Sequence, residues 1–430
     1  MNQWLHSDDY TTDRYHRKAI SVEQAQQLVM QRVIPGASEQ VHLTEAAGRF
    51  LAESIYAPHP FPYFRRSGMD GYAIVCSDTA ACGGSEGQDV WLQVIDEVAC
   101  GFVSEKVVQS GTAVRIMTGA QVPDGADAVV MLEATRLKEE AGQVYVGLKK
   151  RVQLGANITE IGYELKEGEL LLQKGTQLGP GEISVLATFG VGMVTVYRRP
   201  RVGIFSTGSE LLQLDEPLQP GRIRNSNTYM LAVQIRNAGG IPCLLEAITD
   251  DVELARERLQ EALEQVDIVV TSGGVSVGDY DIMGELVRQE GVELLFNKIT
   301  MRPGSVTTAA VIDNKLLFAL SGNPGACFVG CELLVRPFIR GMQGAEAPYL
   351  VEWTAFMGAD YRRMNNYTRF VRATLSFREG KVVATPTRID ESSVMISIKD
   401  ADCLIVIPPG TPEVLEGEQI QIIKLEKASI

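Results

Sequence analysis

Hydrophobic and polar positions change their period several times along this chain. Residues 22–33 place apolar side chains at helical spacing, and Ser21 with Gln24 resembles a capping box at the start of that helix. From 56 to 148 the period shortens to β-like runs between glycine-rich turns: YAIV, VWLQVIDEVA, TAVRIM, AVVMLE and QVYVGL. Mixed structure returns over 152–192. The pattern therefore predicts a small β domain inserted into a discontinuous domain.

From residue 199 buried strands alternate with helices. The predicted strands are RVGIFSTG, IPCLLEAIT, VDIVVTSGG, ELLFNKIT, VTTAAVI and KLLFALSG. The predicted helices are Asn227–Asn237, one beginning at Asp250 and Asp251, Asp281–Gln289, and Pro324–Arg340. This alternation predicts a parallel, doubly wound sheet. After about residue 346 the runs TRFVRATLSF, KVVATPTR, ADCLIVIPPG and EQIQIIKL predict a β-barrel or sandwich.

Composition narrows the class of protein. A chain of 430 residues suggests two to four domains. Its 54 acidic and 40 basic residues give a net charge of −14, which argues against nucleic-acid binding and favours a soluble, cytoplasmic protein. Seven cysteines without a CxxC pair suggest reduced thiols. The first twenty residues show no secretory signal, and no apolar run reaches the roughly 18 residues of a membrane helix.

Histidine placement excludes several kinds of site. All four histidines, at 6, 16, 42 and 59, precede Phe61. A Ser-His-Asp triad or a histidine zinc site is therefore excluded from the rest of the chain. Chemistry there must use carboxylates, hydroxyls, backbone dipoles or an oxygen-binding metal ion.

Three loops follow predicted strands of the α/β region: Ser206–Glu210, Thr271–Asp281 and Ser321–Ala326. Ligands bind at the carboxyl ends of strands in such sheets. In the second loop, Gly273 and Gly274 could turn backbone N–H groups toward a phosphate, and carboxylates such as Asp281 suit Mg²⁺. The simpler alternative is that the glycines only turn the chain and Asp281 caps a helix.

Four other candidate residues, taken one at a time, are explained as well by an ordinary structural role as by a functional one. Lys298 and Arg302 are either solvated surface charges or ligands of an anion. Asp70 precedes Gly71, and Thr118 precedes Gly119, so ordinary turn chemistry accounts for both.

The order of the motifs is more specific than any one of them. The chain reads SGMDGYA, RIMTGAxVPxGADAVVMxE, FSTGSEL, RNSN, TSGGVSVGDYD, RPGS and SGNPGA. This series resembles the MoeA-type molybdopterin molybdenumtransferases, a family related to the gephyrin E domain, from about Ser21 to the C-terminus.

The resemblance implies an elongated, multi-domain chain of the α/β plus β class. Its expected parts are a flexible arm (1–20), a discontinuous subdomain I (21–55 and 149–184), an inserted β subdomain II (56–148), a doubly wound molybdopterin-binding subdomain III (185–345) and a β-barrel subdomain IV (346–430). It also implies a homodimer with each active site at the subunit junction.

The implied reaction joins molybdate to adenylylated molybdopterin and releases AMP, with Mg²⁺ required. Implied partners are molybdopterin adenylyltransferase and molybdoenzyme acceptors, without nucleic acid or membrane. The implied catalytic residues are Asp70, Thr118, Glu210 and Asp281, and the implied metal ligands are Asp250, Asp251 and Asp281. The candidate substrate-binding residues are Ser206, Thr207, Gly208, Ser272, Gly273, Gly274, Val275, Ser276, Lys298, Arg302, Gly322, Asn323 and Pro324.

Two departures from the family's sequence pattern allow an alternative to the enzymatic function. Ser209 stands where many members carry an aspartate, and Ser305 replaces the second lysine of the family's KPGKP loop. A catalytically weak or inactive scaffold that binds molybdopterin is therefore the rival hypothesis. A molybdopterin adenylyltransferase is disfavoured, because that enzyme resembles only the α/β region and lacks the β insertion.

Overall fold

The computed structural model describes residues 18–82, 89–246, 252–274, 286, 291–364 and 366–426. The chain divides into a larger unit (Met1–Glu53, Lys174–Ile183 and Gly192–Ile430) and a smaller unit (Ser54–Gln173 and Ser184–Val191). Each is treated by itself below, with elements numbered in chain order. Val275, Ser276, Asp250, Asp251, Asp281 and nearly all of the predicted helix 281–289 lie outside the described residues, as does most of the predicted N-terminal arm.

The helices of the described residues are α1 (Val22–Met30), α2 (Pro180–Thr188), α3 (Asn227–Asn237), α4 (Val252–Gln265), α5 (Pro324–Gly330) and α6 (Arg336–Met342). The predicted capping box of α1 is confirmed: the Gln24 amide donates to the Ser21 hydroxyl at 3.1 Å, and the Ser21 amide donates to the Gln24 side chain at 3.0 Å. None of the helices in the described ranges is long and apolar enough to span a membrane.

The helix predicted from Pro324 to Arg340 begins at Pro324 but is not uniform. A π-helical segment, Cys331–Val335, separates α5 from α6. Its wider turn accommodates one extra residue, and α6 continues the helix beyond it.

The central sheet of the larger unit has six strands in the order β16–β13–β17–β21–β20–β18. Their bounds are β13 (Arg201–Ser206), β16 (Ile241–Leu244), β17 (Ile268–Ser272), β18 (Val292–Phe296), β20 (Thr308–Ile312) and β21 (Lys315–Leu320). Alternate side chains along β17 enter different cores. Ile268 and Val270 pack with α3, whereas Val269 packs with α4, so helices cover both faces as predicted.

The sheet is not parallel throughout, in contrast to the prediction. β16, β13, β17 and β21 are parallel, but β20 runs antiparallel to β21 and to β18. The reason is a two-residue turn at Asp313 and Asn314, which have φ values of 50° and 61°. Two consecutive left-handed residues form the tight hairpin turn that joins antiparallel strands.

The C-terminal strands form a closed five-stranded barrel, which confirms the barrel rather than the sandwich. They are β22 (Glu352–Met357), β23 (Thr368–Arg378), β24 (Lys381–Pro386), β25 (Cys403–Ile407) and β26 (Gln419–Lys424). Pairing follows the order β23–β24–β22–β26–β25 and closes between β25 and β23. A short strand, β19 (Met301–Arg302), adds to β23 from outside the barrel. The larger unit also holds the pairs β1 (Ser38–His42) with β12 (Met193–Tyr197), and β14 (Leu211–Leu212) with β15 (Ile223–Arg224).

The smaller unit is built on a six-stranded sheet in the order β7–β4–β6–β5–β9–β8. Its strands are β4 (Gly71–Ile74), β5 (Val90–Val98), β6 (Thr112–Ile116), β7 (Ala128–Met131), β8 (Thr135–Glu140) and β9 (Gln143–Leu148). Among the described residues, two separate strand pairs accompany this sheet: β2 (Ile55–Tyr56) with β11 (Leu170–Leu172), and β3 (Arg66–Ser67) with β10 (Ile158–Thr159). All five predicted strands of this region are present. The sixth, β8, reads TRLKEE and was missed because an exposed edge strand carries few apolar residues.

Candidate active site

A cleft of about 1060 Å³ opens at the carboxyl ends of β13, β17 and β21 in the larger unit. The adjacent strands are parallel, so their final residues meet at one edge of the sheet. The residues that line the cleft are Thr207, Gly208, Ser209, Glu210, Leu211, Ile223, Arg224, Asn225, Ser226, Asn227, Ser272, Gly273, Gly274, Val306, Ser321, Gly322, Asn323, Pro324, Ser393 and Met395. The structure thus brings together the described parts of the three predicted loops, of which the second is described as far as Gly274. Ser206, the last residue of β13, lies buried beside the cleft.

The strand ends are joined by hydrogen bonds that continue beyond the sheet. The Thr207 amide donates to the Ser272 carbonyl at 3.1 Å, and the Gly273 amide donates to the Leu320 carbonyl at 3.0 Å. Gly273 has φ 97°, and a Cβ there would lie 2.6 Å from the Thr207 hydroxyl oxygen. Only glycine fits this close approach without distortion.

Asn227, the first residue of α3, ties two of these loops together and was not among the predicted site residues. Its Nδ2 donates to the Ser272 hydroxyl oxygen at 2.7 Å and to the Gly322 carbonyl at 2.8 Å. The sequence signal was the RNSN motif, which lies at a helix start. There an asparagine is most simply read as a cap.

The barrel contributes one wall of the cleft through the loop 391–395. The guanidinium of Arg372, which is only 1% exposed, donates to the Val394 and Glu391 carbonyls at 2.7 Å each. The Gly325 amide in the first turn of α5 donates to the Ser392 carbonyl at 2.8 Å. The barrel loop is therefore fixed to the helix that begins at Pro324.

Two predicted anion ligands do not line this cleft. The Arg302 guanidinium lies 5.4 Å from the ring centroid of Tyr367, and Arg302 belongs to β19 beside the barrel. Lys298 is also outside the lining. Arg224 does line the cleft, but its guanidinium donates to the Leu214 and Glu216 carbonyls at 3.1 Å. Among the described residues, backbone N–H groups and hydroxyls are therefore the main donors to a phosphate here.

Glu210 is the one carboxylate among the described residues that line the cleft, and it is therefore the described candidate for a metal ligand there. Within the described ranges, no three histidine, cysteine, aspartate or glutamate side chains are grouped to hold an ion. Mg²⁺ is commonly held by one or two carboxylates together with substrate phosphates and water. Glu210 and a phosphorylated ligand fit that donor set.

Asp70 and Thr118 form a separate pair in the smaller unit. Asp70 precedes β4, and Thr118 follows β6, the antiparallel neighbour of β4, so the two meet at one end of the sheet. The Thr118 hydroxyl and backbone amide both donate to Asp70 Oδ1 at 2.6 Å. The bond from the Thr118 hydroxyl lowers the pKa of Asp70 most, and the bond from the Thr118 amide is second. Together with a smaller contribution from the Arg115 charge, they hold that pKa below its ordinary value of 3.8. Asp70 is therefore an ionised carboxylate at neutral pH.

Comparisons with known proteins cover nearly the whole chain. Family models match at residues 20–190 (MoeA N-terminal region, domains I and II), 203–341 (probable molybdopterin binding domain) and 354–425 (MoeA C-terminal region, domain IV). A molybdopterin molybdenumtransferase of Bacillus subtilis is 44% identical over 411 residues, spanning 96% of this chain and 95% of that protein. One from Staphylococcus epidermidis is 38% identical over 413 residues, spanning 96% of this chain and 97% of that protein.

The fold comparison agrees with the sequence comparison. The crystal structure of a molybdopterin biosynthesis MoeA protein from Pyrococcus horikoshii matches with a TM-score of 0.81 at 30% identity, covering 95% of this chain and all of that one. These matches confirm the resemblance and the α/β plus β fold class that the motifs implied. The chain belongs to the molybdopterin molybdenumtransferase family.

Proposed function

We propose that this chain inserts molybdenum from molybdate into molybdopterin as a step of molybdenum cofactor biosynthesis. The observation that carries the proposal is the cleft, in which three loops of a probable molybdopterin-binding domain meet at one sheet edge. Its volume suits a cofactor-sized ligand. The rival scaffold hypothesis is not favoured, because transferases are similar to this chain over almost its full length.

The finer reaction is part of the same proposal. The substrate is adenylylated molybdopterin. The oxygen of a water molecule bonds to the adenylyl phosphorus and gives up a proton, the phosphoanhydride bond breaks, and AMP leaves while the molybdopterin phosphate keeps the bridging oxygen. Backbone N–H groups of the Gly273 and Gly322 loops bind phosphate oxygens, and the Glu210 carboxylate would hold Mg²⁺. Mg²⁺ would supply charge neutralisation at the phosphates. The carboxylates of residues 250, 251 and 281 remain candidate ligands outside the described residues.

Asp70 and Thr118 act on molybdate in this proposal. Thr118 keeps Asp70 ionised and fixes its orientation, so the carboxylate presents its remaining lone pairs in one direction. A homodimer whose subunits share the active site, a cytoplasmic location, and exchange with the adenylyltransferase and with molybdoenzyme acceptors complete the proposal.

The test supplies purified protein with adenylylated molybdopterin, molybdate and Mg²⁺, and follows AMP release and protein-bound molybdenum. We expect both for the natural chain. Asp70→Ala is expected to lose insertion while it still binds the pterin substrate. Normal insertion by Asp70→Ala would contradict the role of Asp70, and pterin binding without AMP release by the natural chain would favour the scaffold.

A further inference from the structure

Asn227 occupies an unusual place for a polar side chain. It is only 9% exposed, although it lines a cleft that accepts ligands. Its side chain is turned away from solvent and toward two loops that end neighbouring strands, β17 and β21. Asn227 can therefore affect a bound ligand through the Ser272 and Gly322 loops to which it is hydrogen-bonded.

The two hydrogen bonds of Asn227 fix which end of its amide faces the loops. A backbone carbonyl oxygen can only accept, so the group that faces Gly322 must be the NH₂ end. Both amide hydrogens are then used, one on Gly322 and one on Ser272. Aspartate has the same shape but no hydrogen to donate, and its charge would face a carbonyl oxygen.

Ser272 links this contact to the rest of the cleft. Its hydroxyl oxygen accepts from Asn227, its carbonyl accepts from the Thr207 amide, and its side chain also hydrogen-bonds the buried thiol of Cys327. Burial raises the pKa of that thiol to about 12, so it stays neutral. A shift of Ser272 would therefore be transmitted to the Thr207 loop as well as to Gly273.

We propose that Asn227 is the positioning residue that sets the spacing between the Ser272–Gly274 and Ser321–Asn323 loops, and thereby the affinity for the phosphate-bearing substrate. The inference rests on the proposed function, because it names adenylylated molybdopterin as the ligand of these loops. Loss of one hydrogen bond to a charged phosphate oxygen weakens binding by roughly tenfold or more. The loops contact the substrate before and during reaction, so the loss falls on binding and spares turnover.

The experiment compares Asn227→Asp with Asn237→Asp in the full-length chain. Asn237 ends the same helix, so the control makes the same chemical change far from the loops. We expect Asn227→Asp to raise Kd and KM for adenylylated molybdopterin about tenfold or more, with kcat within about twofold of the natural value. Asn237→Asp should match the natural chain. A fall in kcat with KM unchanged would overturn the inference, because that is the signature of a smaller folded fraction.

A double-mutant cycle separates positioning from direct contact. If Asn227 acts through Ser272, then Asn227→Ala combined with Ser272→Ala should weaken binding less than the product of the single effects. If the loss of affinity in the double variant equals the product of the two single losses, the inference is overturned. The cycle also serves as the test if Asn227→Asp does not fold. Unchanged binding by Asn227→Asp refutes only the role of Asn227. Absence of product from the natural chain, with binding intact, refutes only the proposed function.

Discussion

Two donors of Thr118 converge on a single oxygen of Asp70, each at 2.6 Å. One donor is the side-chain hydroxyl, and the other is the backbone amide. The arrangement leaves the second carboxylate oxygen of Asp70 without a bond to Thr118. The pair is exposed at the end of the β sheet, so these contacts define its orientation more than its burial does.

The first prediction concerns the protonation of Asp70. Thr118→Val removes the hydroxyl, which is the larger cause of the lowered pKa, and keeps the backbone donor. We expect the pKa of Asp70 to rise toward its ordinary value, as measured by NMR titration of the carboxylate carbon. Since the folded-state pKa is depressed, the associated stability is present above pH 3.8 and is lost as pH falls through the folded value. An unchanged titration in Thr118→Val would show that the hydroxyl does not act on Asp70.

A second prediction concerns the close approach at Gly273. Gly273→Ala places a Cβ against the Thr207 hydroxyl, and it also puts alanine at a φ of 97°, which is unfavourable for any residue with a Cβ. Gly417→Ala is the matched control, because Gly417 has φ 86° and open space around it. The control isolates a conformational cost on the order of 1–2 kcal/mol.

We therefore expect Gly273→Ala to weaken adenylylated molybdopterin binding by about tenfold or more, the effect of losing one hydrogen bond to a charged group, whereas Gly417→Ala alters only the thermal midpoint. Isothermal titration calorimetry measures the first effect and scanning calorimetry the second. Equal affinity in the two variants would mean that the Thr207–Gly273 contact does not shape the site.

The third prediction concerns the buried Arg372 of the barrel. Arg372→Ala removes the guanidinium donor of the Val394 carbonyl and leaves the Glu391 carbonyl with the Val394 amide at 3.1 Å. The cost is about 1–3 kcal/mol for an acceptor that stays buried without a partner. We expect a lower thermal midpoint together with faster amide exchange in the loop 391–395. Arg378→Ala, at an exposed position of the same strand, should change stability by about 0.5 kcal/mol or less. Protected loop amides in Arg372→Ala would contradict this account.

A fourth prediction concerns the buried Glu332, which lies in the π-helical segment. Burial raises the pKa of Glu332, although Arg336 and a hydrogen bond from Gln234 at 2.8 Å act in the opposite direction. An acid with a raised folded-state pKa contributes stability below its unfolded pKa of about 4.5. That contribution is lost as pH rises through the folded value.

Glu332→Gln keeps the shape and removes the titration. Its thermal midpoint relative to the natural chain should therefore increase as pH rises from about 4.5 toward 8, as measured by calorimetry across that range. Glu352→Gln, on an exposed strand position, is the control for loss of one negative charge. A difference between Glu332→Gln and the natural chain that does not vary with pH would contradict the prediction.

Local signals in the sequence were enough for much of the fold. Ser21 and Gln24 specify the start of α1, and Pro324 specifies the start of α5, because caps and first-turn prolines depend on a few neighbouring atoms. The strand β20 was predicted as VTTAAVI, but its antiparallel orientation was not, since that orientation depends on the left-handed turn at Asp313 and Asn314. That dipeptide is a less distinctive turn signal than Asn-Gly.

The candidate site divides in the same way. Gly273 and Gly322 were found because glycine loops after strands have a recognisable composition, and parallel strands bring such loops to one edge. Asn227 was missed because its partners lie 45 and 95 residues away along the chain. Arg372 was missed because its partners lie 22 and 19 residues away, and no local pattern reveals such contacts. An arginine is ordinarily a surface residue, and only packing shows that this one is buried.

The π-helical segment Cys331–Val335 has a consequence for chain length. A π-helical hydrogen bond joins residues five apart, whereas an α-helical one joins residues four apart, so the π turn contains one extra residue. Deleting one residue there would restore a regular α-helix and leave the faces of α5 and α6 in their present directions. A gap of one residue is thus least disruptive at this point of the helix, and homologous chains that differ in length by one are expected to align with their gap between 331 and 335.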